Sequence, residues 1–241
     1  MSQIESKSII EKKTFINKMF AKIAPKYDLL NNLMTFGMHN AWKEEAVKLA
    51  LSETDDPKFG LDLCSGTGDL SIILKKYSPN MKVTSADNCL EMLNIAQRKF
   101  EKLGLSDIEL LDLDCENIKP SLGSFDLITI GFGLRNLIDK QKFLSIVNSL
   151  LKPCGIFVCI DLGYPVNVFW QKIYFFYFYN VIPILGKIFA SDKEAYTYLP
   201  ASLATWYRQE DLKKLMTKSG FKRCYFKNIL GGVVAVHVAV K

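Results

Sequence analysis

Apolar and polar residues change their spacing several times along this chain, and each change marks an expected element. Over residues 4–24 (IESKSIIEKKTFINKMFAKIA) apolar positions recur every three to four residues, which predicts a helix. The stretch YDLLNNLMTFGMHNAWKEEAVKLA keeps that spacing but is broken near Gly37, so two short helices are expected. From Lys58 onward the pattern alternates. Short apolar runs at 59–64, 81–86, 108–113, 125–130 and 155–161 read as strands, with helical segments at about 69–77, 89–103 and 139–151 between them. Such alternation implies βαβ units and a mainly parallel sheet covered by helices. After a helix near 209–219, the runs Phe221–Ile229 and Val233–Val240 are joined by Leu230-Gly231-Gly232, a short glycine joint that predicts a hairpin. The expectation is an α/β fold with a seven-stranded sheet, one strand of which, in the C-terminal hairpin, is antiparallel.

Composition narrows this little. A chain of 241 residues with 49% hydrophobic and 23% charged residues is expected to form one α/β domain with a sizeable core. The net charge of +6 is dispersed over scattered lysines and there is no arginine cluster, so no nucleic-acid partner is expected. Six cysteines form no C-x-x-C pair and only two histidines are present, which argues against zinc and for no metal, in a reducing cytoplasm. The N-terminus MSQIESKSIIEKK shows no apolar signal core, and a cytoplasmic location is expected. The segment IYFFYFYNVIPILG (173–186) offers only 14 residues between Lys172 and Lys187, interrupted by Asn180 and Pro183, too short to span a bilayer. A segment apolar nearly all round is either core or a lid and pocket for an apolar tail, which would double as a peripheral docking surface at the inner face of the cell membrane.

The chemistry begins at LDLCSGTGDL (61–70), a strand running into a glycine loop and a helix. Gly66 and Gly68 allow a tight turn and close approach of backbone to a ligand. A dinucleotide fingerprint would place its third small residue at 71, which is Ser, and no tyrosine begins the Y-x-x-x-K pair of short-chain dehydrogenases. Asp62 before the loop and Asp69 after it disfavour a pyrophosphate and suit a ligand carrying positive charge. Asp87 closes the second strand, nineteen residues beyond Gly68, where a carboxylate can accept both hydroxyls of a ribose. Asp114-Cys115, after the third strand, can face an adenine amino group.

These residues, with YDLLNNLMTFGMHNAWK (27–43), ITIGFGLRN (128–136), LLKPCG (150–155) and EAYTYLPASL (194–203), resemble the class I S-adenosylmethionine-dependent methyltransferases, and within them the UbiE-type family that C-methylates menaquinone and ubiquinone precursors. The resemblance runs from about residue 15 to the C-terminus. It implies a Rossmann-like fold with helices on both faces of the sheet. It also implies a helical cap over the active site at 1–57 and a methyltransferase domain at 58–241 with an aromatic lid insertion at about 163–205. S-adenosylmethionine is then the expected cofactor. Gly66, Thr67 and Gly68 would pass beneath its amino-acid portion, and Asp62 would lie near the ammonium group, directly or through water. Asp87 would hold the ribose, Asp114 and the Cys115 backbone would face the adenine, and Gly131, where the family often has serine, would contribute backbone only. Three further departures are Cys64-Ser65, in place of smaller residues, Cys154, where a Lys-Pro-Gly-Gly turn is usual, and Asn40, where an arginine often follows the histidine.

The expected acceptor is a prenylated hydroquinone, either a naphthoquinol or a benzoquinol. Arg135 would stabilise the oxyanion that forms on the ring, since its planar guanidinium is always charged. His39, Asp161, Tyr27 and Asp28 are the candidate bases, with Arg135, His39 and Asp161 the chosen catalytic set. His237, among alternating Val and Ala, reads as structural. Another small aromatic or lipid acceptor is the main alternative, followed by a non-catalytic quinone- or nucleotide-binding protein. A homodimer is compatible with all of these.

Overall fold

Val, Ile, Leu and Phe fill the strand runs so densely that those strands can be stable only when covered on both faces. In the computed structural model, which describes residues 9–119, 123–182, 184, 198 and 201–241, that is their situation. The strands are β1 (Phe59–Leu63), β2 (Lys82–Asp87), β3 (Glu109–Asp112), β4 (Phe125–Gly131), β5 (Leu151–Leu162), β6 (Arg223–Ile229) and β7 (Val234–Val240). They form one sheet in the order β3-β2-β1-β4-β5-β7-β6, with β7 antiparallel to both neighbours and every other pairing parallel. Around the sheet pack α1 (Ile9–Ile23), α2 (Tyr27–Thr35), α3 (Met38–Leu51), α4 (Asp69–Tyr77), α5 (Leu90–Lys102), α6 (Lys140–Leu150), α7 (Val168–Phe176) and α8 (Gln209–Lys218). Residues 4–8 of the first expected helix lie outside the described residues, as do 183, 185–197 and 199–200 within the expected aromatic insertion and most of the 194–203 motif.

The N-terminal helices share the core of the sheet. Trp42, Ala46, Val47 and Ala50 of α3 belong to the same buried cluster as Leu61, Ile128 and Phe157. At the bend foreseen near Gly37, Phe36 and Gly37 are both left-handed, at φ +51° and +75°. β5 begins four residues earlier than its apolar run suggested, directly after α6, and its pairing with β4 shifts register between Phe125 and Leu127. Cys154 lies in this irregular entry at φ +61°, the conformation that a glycine adopts without penalty.

The chain leaves β1 on one side toward β2 and β3, then crosses to the other side for β4 and β5. Ligands of open parallel sheets bind at such a switch point, beyond the carboxyl ends of the strands. Gly66, Asp87, Asp114, Gly131 and Asp161 all fall at those ends.

Candidate active site

β1 runs through Cys64 and Ser65 into Gly66-Thr67-Gly68 and α4. Gly68 is required twice: its φ is +81°, and a Cβ there would stand 2.5 Å from the Phe100 ring of α5. Gly66, at φ +56°, is different, since a Cβ there would meet nothing within 4 Å. Open space therefore lies over the loop. The Gly66 amide donates to Asp87 Oδ2 (2.8 Å) and the Cys89 amide to Asp87 Oδ1 (2.9 Å). The Asn88 amide is a third donor to this carboxylate, which leaves it one free lone pair of four. Burial pushes the Asp87 carboxyl above its usual pKa, against the pull of the amides. Asp87, Asp114, Cys115, Gly66 and Gly131 line one cavity of about 100 Å³. α1 lies across it: Lys13 Nζ reaches Asp114 (3.1 Å) and Glu116 (2.8 Å), and Asn17 donates to the Asn88 carbonyl (2.7 Å).

Asp62 and Thr67 stand apart from that cavity. Asp62 has no solvent exposure and accepts from the Ser71 amide (3.1 Å), the Ser71 hydroxyl (2.8 Å) and the Thr129 hydroxyl (2.9 Å), bracing the loop from beneath. Burial pushes its carboxyl up to about 7. Thr67 Oγ1 donates to Asp28 Oδ1 (2.7 Å) and joins a network that ties α2, α3 and α5 to the loop. In it Lys43 meets Asp69 at 2.6 Å, and Lys99 contacts both Asp69 and Asp28. Burial works against ionised Asp69, but the two lysines outweigh it and hold the carboxyl at about 2.

A second cavity, of about 350 Å³, lies between the α2–α3 bend and α7. Its lining is mostly apolar, with Leu30, Met34, Trp42, Phe132, Trp170 and Phe178 among the walls. Phe20, Tyr27 and Phe132 line both cavities, so the two chambers are neighbours. α7 starts at Asn167, whose side chain accepts from the Phe169 and Trp170 amides. It turns Trp170, Ile173 and Tyr174 to the cavity and leaves Val168, Phe169 and Phe176 exposed. Phe36 and Leu230 line the cavity and are also exposed, so its mouth opens onto an apolar rim.

The polar groups of this cavity are few. Arg135, in a 3-10 turn after β4, sends Nη1 to Asp161 Oδ1 (2.6 Å) and to the Phe132 carbonyl (2.6 Å). The Arg135 amide also donates to Asp161 Oδ2 (3.3 Å). Arg135 lines the cavity, whereas Asp161, only 2% exposed, stands behind it and lines neither chamber. Its carboxylate is taken up by the arginine. His39 lines the cavity, with Nε2 3.1 Å from Asn32 Oδ1. Burial first, and Lys43 second, lower its pKa to about 4, so the ring is neutral and a weak base. Tyr198 donates to Asn136 Oδ1 (3.0 Å). His237 is on β7 with Nε2 against the Gln209 carbonyl (2.9 Å), a buried contact that fits the structural reading of its strand pattern.

Sequence reasoning gave no signal for Lys13 or Lys99. Asn32 and Lys43 fell inside a recognised motif without a role, and Tyr174 was one member of the aromatic run. Among the described residues no group of three or more His, Cys, Asp and Glu is placed to hold a metal ion, and no helix is long and apolar enough to cross a membrane.

Comparison with known proteins bears on the family and the fold. Residues 7–241 match the model of the ubiE/COQ5 methyltransferase family. The ubiquinone/menaquinone biosynthesis C-methyltransferase UbiE of Rickettsia prowazekii is 37% identical over 236 residues, covering 96% of this chain and 94% of that one. The demethylmenaquinone methyltransferase of Thermus thermophilus is 40% identical over 220 residues, covering 91% and 98%. Among solved structures, magnesium protoporphyrin IX methyltransferase from Synechocystis with bound S-adenosylmethionine superposes with a TM-score of 0.66 at 15% identity, over 98% of this chain and all of that one, a likeness of fold. With a family model spanning nearly its whole length and relatives this similar end to end, the chain belongs to the ubiE/COQ5 methyltransferase family.

Proposed function

We propose that this protein transfers a methyl group from S-adenosylmethionine to a ring carbon of a prenylated hydroquinone, as the names of its relatives describe for them. The observation that carries the reading is the pairing of two adjoining chambers, one acid-lined beside a glycine loop and one apolar with a single buried arginine. The first chamber fits the cofactor. Space over Gly66 admits an amino-acid portion, Asp87 has a lone pair free for a ribose hydroxyl, and Asp114 and Cys115 stand at the third strand end for adenine. Bound there, the cofactor supplies an electrophilic methyl group on a sulfonium. Arg135 holds its charge where the ring hydroxyl, giving its proton to solvent, becomes phenolate, which raises electron density on the ring carbon that attacks; that carbon then gives its own proton to solvent and the ring becomes aromatic again. Asp161 and the Phe132 carbonyl fix the guanidinium in place, so little reorganisation is needed as the charge develops.

The deciding experiment uses purified protein and cofactor labelled in its methyl group, with two reduced acceptors: a prenylated demethyl-naphthoquinol and a prenylated benzoquinol without the ring methyl. Label on a ring carbon of either supports the reading and identifies the acceptor. Label on neither, with cofactor binding measured, removes the quinol assignment.

The apolar rim is the surface by which such a lipid substrate reaches the cavity. Phe36 (78% exposed) and Leu230 stand at its mouth, Val166, Val168, Phe169 and Phe176 expose apolar side chains on and just before α7, and the +6 net charge favours an anionic bilayer. Described residues of both expected segments, 1–57 and about 163–205, line the cavity, and the segments then act as cap and lid. The double variant Phe169→Asp, Phe176→Asp is expected to lose flotation with phosphatidylglycerol-containing vesicles while still methylating a short-chain soluble acceptor. Undiminished flotation would remove the bilayer as the occupant of this face. A concentration-dependent dimer that the same variant dissolves would assign the face to a second copy of the chain.

A further inference from the structure

Six buried side-chain polar atoms among the described residues lack a hydrogen-bond partner. Three of them, Arg135 Nε, Tyr174 Oη and His39 Nδ1, belong to residues lining the apolar cavity. An unmet buried polar group is an unfavourable arrangement that a ligand of matching chemistry relieves. Arg135 Nε can only donate, and a tyrosine hydroxyl can donate or accept. The histidine is the informative member, because its neighbours fix which way its hydrogen lies.

Asn32 Nδ2 donates to the Asp28 carbonyl within α2 (3.0 Å), which turns the amide oxygen Oδ1 toward His39. An amide oxygen can only accept, so the ring nitrogen facing it, Nε2 at 3.1 Å, must carry the hydrogen. A neutral imidazole has one N–H, which leaves Nδ1 as a bare acceptor. Asp69 and Asp28 work to charge the ring, Lys43 and Lys99 oppose them, and burial keeps it neutral. The α2–α3 bend maintains the pairing: the Gly37 amide donates to the Asn32 carbonyl (2.9 Å), and the His39 amide to Thr35 Oγ1 (3.3 Å).

We propose that His39 Nδ1 reads the redox state of the acceptor by taking a hydrogen bond from a free ring hydroxyl, while Arg135 Nε donates to a ring oxygen. The inference rests on the quinol reading above and goes one step beyond it. A hydroquinol offers the O–H that Nδ1 needs. The oxidised quinone offers only carbonyl lone pairs, so Nδ1 would face another acceptor and stay unmet. A site built to bond a hydroxyl rejects an analogue that lacks it, because its own polar group is left buried and unpaired. The site therefore favours the ring form that can become a phenolate and holds off the form that cannot. Asn32 is the positioning residue, since it sets the tautomer without facing the ring itself.

The experiment measures binding rather than turnover. A short-chain prenylated naphthoquinone lacking the ring methyl is titrated anaerobically, oxidised and chemically reduced, into protein saturated with S-adenosylhomocysteine. The parent protein is expected to bind the reduced form about ten- to a hundredfold more tightly. His39→Phe removes the acceptor and should bring the ratio near one. His39→Asn can place an amide oxygen close to the Nδ1 position and should restore part of it. Asn32→Leu frees the ring to carry its hydrogen on Nδ1, where it can serve a quinone carbonyl, and the ratio should collapse there too. S-adenosylhomocysteine affinity confirms that each variant is folded. A parent ratio near one, or a ratio that survives both His39→Phe and Asn32→Leu, overturns the proposal. These outcomes are separable from failure of the functional reading, which would appear as no labelled methyl on any quinol.

Discussion

Replacing Asp161 by alanine tests the arginine's setting most directly. The carboxylate is 2% exposed and receives three donors: Arg135 Nη1 at 2.6 Å, the Leu162 amide at 2.8 Å and the Arg135 amide at 3.3 Å. Its removal leaves a guanidinium whose side chain is 8% exposed without its counter-charge. Breaking a buried pair from one side costs about 3–5 kcal/mol, because the remaining charge stays desolvated. With a urea m-value near ~3 kcal/mol/M, a loss of about 4 kcal/mol lowers the unfolding midpoint by more than ~1 M. The double variant Arg135→Met, Asp161→Leu removes both charges and keeps volume in the cavity wall. Its stability should return to within about 1 kcal/mol of the parent, since apolar replacement of a whole buried pair is often neutral or better. Methyl transfer should be lost in both. Equilibrium urea unfolding followed by circular dichroism reads all of this. If Asp161→Ala loses less than about 1 kcal/mol, or the double variant is as unstable as the single, the carboxylate does not hold a desolvated arginine and the reasoning fails.

Lys13→Ala releases α1 from Asp114 and Glu116, so the dissociation rate of S-adenosylhomocysteine in stopped flow should rise severalfold, with stability changed by less than about 1 kcal/mol because the lysine is a partly exposed partner. Cys154→Gly relieves a left-handed residue at about 1–2 kcal/mol, less roughly 0.5–1 kcal/mol of added unfolded-chain freedom, for a net stabilisation of about 1 kcal/mol in thermal or urea unfolding. For His237, burial lowers the folded-state pKa from 6.5 to about 4, so the unfolded chain binds the proton first as pH falls. Its contribution is complete above about 6.5 and is lost toward 4, and the parent should lose up to about 3 kcal/mol relative to His237→Gln over that window in unfolding titrations.

The strands and the strand-end acids Asp87 and Asp114 were legible because both depend on local pattern: an apolar run marks the strand and its last residue marks the sheet edge. Arg135 and Asp161 were each candidates on sequence grounds, yet not as partners. Their pairing follows from β4 lying beside β5 with Gly131 opposite Ile160, a register that no local pattern encodes. Lys13 over Asp114 and Lys99 beside Asp28 join residues 101 and 71 positions apart, and lysines on amphipathic helices read only as solvated faces. The aromatic run left core and pocket open as alternatives. α7 settles part of this by dividing its residues between the cavity and the exposed rim, a division that depends on where α2 and α3 dock.

Phe20, Tyr27 and Phe132 belong to the walls of both chambers, and two of the three come from the N-terminal helices that also cross the cofactor side. Occupancy of one chamber thus sets the shape of the other, which has a kinetic signature. A quinol resting against Tyr27 and Phe20 should hold α1 and α2 down over the cofactor chamber and so hinder both the entry of cofactor and the departure of the spent sulfur product. Turnover should then be ordered, with cofactor first in and last out. A large excess of quinol should slow the enzyme by trapping the demethylated cofactor behind it, as inhibition that more S-adenosylmethionine does not reverse.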